Sequence, residues 1–402
     1  MASRIQPQTS DVVIAGGGPA GLTLALGLAA KGFDASVVDA APPRLAAGAN
    51  AGDSRAFFIA YGCWRIFRAL GLEDVLLADA QAVTSVEAEG RLGGISFLAE
   101  ECESEPVLGY MVEAGRLNAA LLAAAKANPR IRLVGGRIAG ATFGDPHAVA
   151  IVGETELRGS LLVGCDGGRS AIREAAGIRF EGWDYEAKAI SATVKLGAPH
   201  HGAARQVFLP GGPLAVLPLT GDRANLVWTE RAGVAEALMA LDDRCFEAEL
   251  AKRSQGFLPG ATLVGARHAF PLGLRLAERF HGSRVALAGD SAHLIHPLAG
   301  QGLNLGLKDV AALIDVIAQA AHAGLDIGTE TALAPYTRWR RADVVATAAA
   351  MEGFARAFSA PLPVRLAAGL AMQAAGSSRT VRKLFAREAG GDLGDLPSLM
   401  RA

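Results

Sequence analysis

Asp11-Val12-Val13-Ile14-Ala15-Gly16-Gly17-Gly18-Pro19-Ala20-Gly21 is the stretch that decides the fold. The β-branched run at 11–15 suits a buried parallel strand, and the glycines follow it at once. Residues 22–31 then read as a helix with Leu22, Ala25, Leu26 and Ala29 on one face and Gly32 as its stop. A second strand begins at Ala35 and ends at Asp39. Strand, glycine turn, helix and strand within about 30 residues form the context that a dinucleotide-binding fingerprint requires. The spacing alone is weak, because 49 glycines in 402 residues yield about 0.7 chance matches to GxGxxG. Each part has a physical task. Gly16 permits the tight turn, Gly18 lets backbone approach a pyrophosphate, and Gly21 allows close helix–strand packing. The helix N-terminus offers unpaired N–H groups to phosphates, and Asp39 would accept hydrogen bonds from a ribose.

Composition narrows the class. Lys+Arg at 39 against Asp+Glu at 40 leave a net charge of −1, which supplies no basic stripe for nucleic acid. Hydrophobic residues at 51% against charged residues at 20% exclude intrinsic disorder. The length predicts two or three domains of roughly 100–200 residues each. Cys63, Cys102, Cys165 and Cys245 lie far apart without CxxC or CxxH spacing, so neither a disulfide scaffold nor a metal site is expected. Residues 1–10 are polar, no run of about 18 apolar residues suits a membrane span, and a cytoplasmic location is expected. Mean hydropathy of +0.27 is high and leaves room for a lipid-facing surface.

Residues 53–80 alternate apolar and basic positions around an amphipathic helix that ends before Gly71, and 116–127 read as a helix beginning near Arg116. Segments 131–139, 147–152 and 156–164 read as antiparallel strands leading to a second glycine cluster. From 183 to 275 the pattern turns to strands at 188–196, 204–209, 214–219, 223–230 and 262–270, with one helix over 234–253. A buried strand at 284–288 is closed by Gly289-Asp290. Helices follow at 303–321, 333–358 and, past Pro361 and Pro363, 364–375, before a basic stretch of Arg379, Arg382, Lys383 and Arg387. The expected architecture is α/β. A Rossmann-like domain takes 1–78, 103–182 and 276–345, a sheet-rich insertion takes 79–102 and 183–275, and a C-terminal helical region takes 346–402.

Three clusters of glycine and acid thus stand apart: 16–21 with Asp39, Asp166-Gly167-Gly168-Arg169-Ser170-Ala171-Ile172-Arg173, and Gly289-Asp290. With them the chain resembles the single-component (class A) flavoprotein monooxygenases of p-hydroxybenzoate-hydroxylase type. Gly289-Asp290-Ser291-Ala292-His293-Leu294-Ile295-His296-Pro297-Leu298-Ala299-Gly300-Gln301-Gly302-Leu303-Asn304-Leu305-Gly306 is similar to the signature of the ubiquinone-biosynthesis hydroxylases, and the likeness covers essentially the whole chain. Two departures are Ser291, where the family usually carries alanine, and DSRAFFIAYG at 53–62, where it has smaller residues after the arginine.

The resemblance implies FAD, with Gly16, Gly18, Pro19, Ala20, Gly21 and Asp39 on the ADP half, Asp166 on the flavin half and Asp290 on the ribityl chain. Arg55 and Arg116 would touch the flavin phosphates or ribityl hydroxyls, and Arg173 would brace a helix start. Gly300 and Gly302 would let the isoalloxazine approach, while the N–H groups of Gly302, Leu303 and Asn304 would face its N1/O2 edge. The implied reaction is hydroxylation of the aromatic ring of a polyprenyl phenol through a flavin C4a-hydroperoxide. O2 is the co-substrate, and NADPH, NADH or an electron-transfer protein is the reductant. No catalytic side chain presents itself beyond His293 and His296, which sit three apart without a third metal ligand and read first as loop-structuring groups. The helix at 364–375 would lie on the inner face of the membrane, or pack on its own domain or on a twin subunit in a homodimer. The rival readings are a hydroxylase of a small soluble phenol or natural-product ring, a reductase of prenyl chains, and a non-catalytic flavin-fold subunit of a quinone-biosynthesis complex.

Overall fold

Strand Gln8–Ala15 takes the centre of the first sheet because Val12, Val13 and Ile14, each 0% exposed, have apolar side chains for both of its faces. The computed structural model describes residues 7–40, 55–90, 93–101, 106–254, 256–295, 300–359 and 377–401. The central strand pairs in parallel with Thr155–Gly164 on one side and with Ala35–Asp39 on the other. Val285–Leu287 and Ile131–Gly135 extend the two sides, again in parallel. This is the Rossmann-like α/β core that the opening motif predicts. Helix Pro19–Ala30 connects the first two strands and packs against helix Gln301–His322. Gly27 makes that packing close, since a Cβ there would meet Ile314 Cδ1 at 2.2 Å.

The segments after residue 131 are sorted differently from the antiparallel reading. Ile131–Gly135 and Thr155–Gly164 belong to the parallel core. Only Ile138–Phe143, Ala148–Val152 and the first half of Thr155–Gly164 form an antiparallel flap. Burial explains the change, because Thr155–Gly164 alternates where its flap face is wet and is continuously buried from Leu161 onward. The single helix expected over 234–253 is two, Ala232–Met239 and Asp243–Arg253. Asp242 is extended, and its Oδ1 accepts the Cys245 N–H at 2.7 Å, so a new helix is capped there.

A second sheet of eight strands is built mainly from 180–277, with Ser85–Gly90 and Gly93–Leu98 added at one edge and His293–Leu294 at the other. One face packs Ile190, Leu214, Val216 and Trp228 against Phe246 and Leu250 of the helix Asp243–Arg253. The opposite face carries Thr229, Ala189 and Phe270 in one cross-strand row. On that face Ala204 and Leu217 cluster with Phe58 and Met111 of a small three-stranded sheet, Ala56–Ala60, Gly109–Glu113 and Gln81–Val83.

Helix Glu330–Ser359 runs unbroken past position 346. The helix at 364–375 lies outside the described residues. After helix Arg379–Ala389 the tail returns to the first sheet's side. Trp339 Nε1 donates to the Asp395 carbonyl at 3.0 Å, the Ser398 N–H donates to Asp315 at 2.7 Å, and Arg65 donates to the Met400 carbonyl at 3.1 Å. Among the described residues no helix is long and apolar enough to cross a membrane. Met400 is 0% exposed, so Met400→Ala is expected to destabilise by about 2–4 kcal/mol in a urea titration. Exposed Leu384→Ala should stay within about 0.5 kcal/mol of the parent.

Candidate functional site

Ala15, Gly164 and Leu287 are aligned across three neighbouring parallel strands, and the turns 16–21, 166–168 and 289–290 follow those strands. Clusters far apart in sequence therefore share one edge of the sheet. The crevice outside the carboxyl ends of such strands is where ligands bind in open α/β sheets.

The turns touch through backbone. Gly16 has φ +104°, and a Cβ there would stand 2.2 Å from the Cys165 carbonyl oxygen. A Cβ on Gly21 would stand 1.9 Å from the Gly16 carbonyl oxygen. Gly18 differs, with nothing within 4 Å of the place of its missing Cβ. It caps helix Pro19–Ala30 in extended conformation, and no side chain caps the N–H groups of the first turn. Pro19 is the first helical residue, where a missing N–H is no loss, and Ala20 Cβ lies 3.6 Å from where a Cβ on Gly289 would be. Asp39 Oδ2 accepts the Gly17 N–H at 2.7 Å, which locks the acid onto the turn.

Asp166 divides its two oxygens. Oδ2 accepts the N–H groups of Ala171 at 2.7 Å and Ile172 at 3.3 Å, fixing the start of helix Ala171–Ala175. Oδ1 is buried and has no hydrogen-bond partner among the described residues. A buried carboxylate oxygen without a donor calls for one, and a ligand hydroxyl fits. Arg173 braces two turns rather than one helix start. It donates to the Gly168 carbonyl at 2.9 Å and to the Ser291 carbonyl at 3.0 Å, and it lies over the Phe180 ring. The Ser291 hydroxyl, fully buried, reaches the carbonyls of Gly164 and Ala288 at 2.5 and 2.9 Å, so the departure from alanine ties this turn to the neighbouring strand.

Gly289, with φ +64°, bends the chain into Asp290. The Asp290 side chain is exposed to solvent although many protein atoms surround it. Burial pushes its pKa up, and the charges of His293 and Arg55 pull it partly back. Arg55 lies 5.7 Å from the centre of the Phe270 ring. Arg116, on helix Ala114–Ala127, has Asp79 at 3.7 Å and makes no hydrogen bond to the three turns. Burial and the charge of Asp166 push up the thiol pKa of Cys165, beside the first turn.

Gly300 takes φ +63° and helix Gln301–His322 begins after it, two residues earlier than expected. The N–H groups of Gln301, Gly302 and Leu303 therefore lack intrahelical acceptors, while that of Asn304 makes the first helical bond. The Asn304 side chain is occupied as well. Its Oδ1 accepts the Ala60 N–H at 2.9 Å and its Nδ2 donates to the Phe58 carbonyl at 2.9 Å, pinning strand Ala56–Ala60 to the helix start. A Cβ on Gly302 would meet nothing within 4 Å, so the approach there is open.

His293 is buried with Nε2 2.6 Å from Asp309 Oδ2, and Arg340 Nε donates to Asp309 Oδ1 at 2.8 Å. Burial opposes ionisation of Asp309, but His293 and Arg340 outweigh it and hold its carboxyl below the ordinary range. Sequence reasoning missed Asp309 and Arg340. The available signal was an aspartate interrupting the apolar stripe between Leu307 and Val310. His296 lies outside the described residues.

Residues 9–350 match the FAD binding domain family. The ubiquinone hydroxylase UbiL of Rhodospirillum rubrum is 38% identical, over 98% of this chain and 93% of that protein. The 3-demethoxyubiquinol 3-hydroxylase of Escherichia coli is 35% identical, over 92% of this chain and 95% of its own. The chain belongs to this family of FAD-dependent monooxygenases. In fold, the monooxygenase is similar to p-nitrophenol 4-monooxygenase PnpA from Pseudomonas putida, with a TM-score of 0.80 over 97% of this chain and 100% of that one at 18% identity. Among the described residues, the space at Gly18, the unpartnered Asp166 Oδ1 and the uncapped N-terminus of helix Gln301–His322 suit FAD in charge and in room.

An acid whose pKa is raised on folding holds its proton more tightly in the native state. The stability it contributes is present at acid pH and is lost as pH rises through the raised value. At neutral pH Asp290→Asn is therefore expected to raise the melting temperature of the FAD-free protein while weakening FAD about tenfold or more, through loss of a charged acceptor. Melting curves and a flavin-fluorescence titration check both directions.

Proposed function

We propose that this monooxygenase hydroxylates the aromatic ring of a polyprenylated ubiquinone precursor, with O2 as co-substrate and NADPH, NADH or an electron-transfer protein as reductant. The observation that carries this reading is the likeness, over nearly the whole chain, to two hydroxylases of ubiquinone precursors, and a cavity of about 860 Å³ beside the second sheet, lined in part by Trp183, Phe208, Leu209, Pro210 and Pro213, gives room for such a substrate. Thr229 lines it too, and Thr229 shares a cross-strand row with Ala189 and Phe270. Arg55 lies over Phe270, and its charge acts on Asp290. In this reading the row Thr229, Ala189 and Phe270 marks the path from the cavity toward Asp290. Glu186, Arg231, Glu352 and Arg356 line the cavity as well, so it offers apolar walls and charged groups together, with room for a ring that carries an isoprenoid chain. The relatives at 38% and 35% identity carry ubiquinone-pathway names and span nearly the whole chain.

In this reading Gly16, Gly18, Pro19, Ala20, Gly21 and Asp39 hold the ADP half of FAD, and Arg55 and Arg116 serve its phosphates or ribityl hydroxyls. Asp166 Oδ1 and Asp290 accept from its hydroxyls. Bound FAD supplies the activation of O2 and the transfer of one oxygen atom to the ring. The protein's part is to orient and to exclude water. The cavity walls desolvate the ring, and the N-terminus of helix Gln301–His322 favours negative charge beside Gly302 and Leu303. His293 serves structure here, because Asp309 holds its Nε2. Residues 79–102 and 183–275 act as the substrate-binding unit, and 1–78, 103–182 and 276–345 as the cofactor-binding unit. A lipid substrate also favours peripheral membrane contact, and on helix Arg379–Ala389 Leu384 is 56% exposed next to basic residues.

Deletion of the gene followed by mass spectrometry of the lipid extract tests the substrate. Loss of ubiquinone with accumulation of a prenylphenol lacking one ring oxygen is expected. Unchanged ubiquinone, together with turnover of simple phenols by the purified protein, would transfer the assignment to a soluble substrate.

A further inference from the structure

Behind the third turn lies a buried set of charges that the chemistry does not touch. Asp309 is 0% exposed, His293 1% and Arg340 2%. Asp309 Oδ2 receives the Gly289 N–H at 3.1 Å and His293 Nε2 at 2.6 Å. Its Oδ1 receives Arg340 Nε at 2.8 Å, and Arg340 also donates to Asp343 at 2.6 Å. Asp309 stands on helix Gln301–His322 and Arg340 on helix Glu330–Ser359, so one carboxylate joins two helices to the turn.

Such a set needs a geometrical reason, because buried ion pairs are rarely more stabilising than apolar packing of the same volume. The two donors on Oδ2 bracket Asp290, one residue before it and three after. The turn has little side-chain packing of its own, since Gly289 faces Gly306 so closely that a Cβ on Gly306 would stand 3.1 Å from Gly289 Cα. The same helix that carries Asp309 begins at Gln301, Gly302 and Leu303, whose N–H groups have no acceptor within the helix. Two helical turns of rigid backbone therefore relate the carboxylate to those groups.

We propose that Asp309, with His293 and Arg340, is a positioning cluster that sets the separation between Asp290 and the N-terminus of helix Gln301–His322, the two sides between which the flavin binds. His293 is then a strut rather than a proton carrier. The inference rests on Asp290 being a flavin contact, so the experiment includes that residue. Purified FAD-free protein is titrated with FAD in the cold, where circular dichroism reports the folded fraction, and the visible bands of bound flavin are recorded. His293→Leu should weaken FAD about tenfold or more and shift those bands. His293→Gln, whose Nε2 can donate to Asp309, should stay within about threefold of the parent. Should His293→Leu not fold, Asp309→Leu with Arg340→Met, which removes both charges together, carries the same expectation as His293→Leu. Folded His293→Leu with the parent's affinity and bands overturns the proposal, and so does His293→Gln failing as badly as His293→Leu. Asp290→Ala binding FAD as tightly as the parent would overturn the cofactor assignment instead.

Discussion

Gly16 lies with its Cα against the Cys165 carbonyl, Gly21 packs against Gly16, and Gly289 against Gly306. These contacts of backbone with backbone are the constraint on which the rest of the cleft depends. They bring the ends of three parallel strands and the start of one long helix together with no side chain between them. A methyl group at Gly16 or Gly21 would stand about 2 Å from a carbonyl oxygen, a distance that van der Waals repulsion forbids. Close approach on the protein side leaves the ligand side open, as at Gly18 and Gly302.

Polar groups around the cleft divide their valences between fold and ligand. Asp166 spends one oxygen on the helix start and keeps the other unpartnered among the described residues. Asp39 is fixed by Gly17, and Arg173 and Ser291 tie the second turn to the third. Asn304 goes further, using its side chain on the Ala56–Ala60 strand. A site whose members are already held before the ligand arrives loses less entropy when it binds. Asp290 differs from these, with burial pushing its pKa up and the charges of His293 and Arg55 pulling it partly back.

Much of this was legible in the chain. The opening strand, turn and helix follow from local pattern, because a β-branched run, three glycines at fixed offsets and a small-residue helix satisfy local sterics and hydrogen bonding together. The Gly289-Asp290 turn and the helix after it were equally local. The strands after residue 131 were not. Alternating polarity reports which face is wet and says nothing about the direction of the partner strand, so the parallel pairing of Ile131–Gly135 stayed hidden. The break at Asp242 was a missed cap, though an aspartate there was open to that reading. Asp309 and Arg340 were missed because each lies on an otherwise ordinary helix, and their meaning appears only when the two helices meet.

The sequence by itself determined the α/β class, the order of the three cofactor turns and the family, because each rests on residues close together in the chain whose chemistry is local. The tertiary structure decided that Asp166 still has an oxygen to offer, that His293 is a buried strut, and that Trp183, Phe208 and Pro213, far apart in the chain, wall one cavity. These depend on burial and on partners more than a hundred residues away, such as Ala60 with Asn304 and Ser291 with Arg173. A one-dimensional pattern records what a residue can do. Only packing settles which of its groups are already in use.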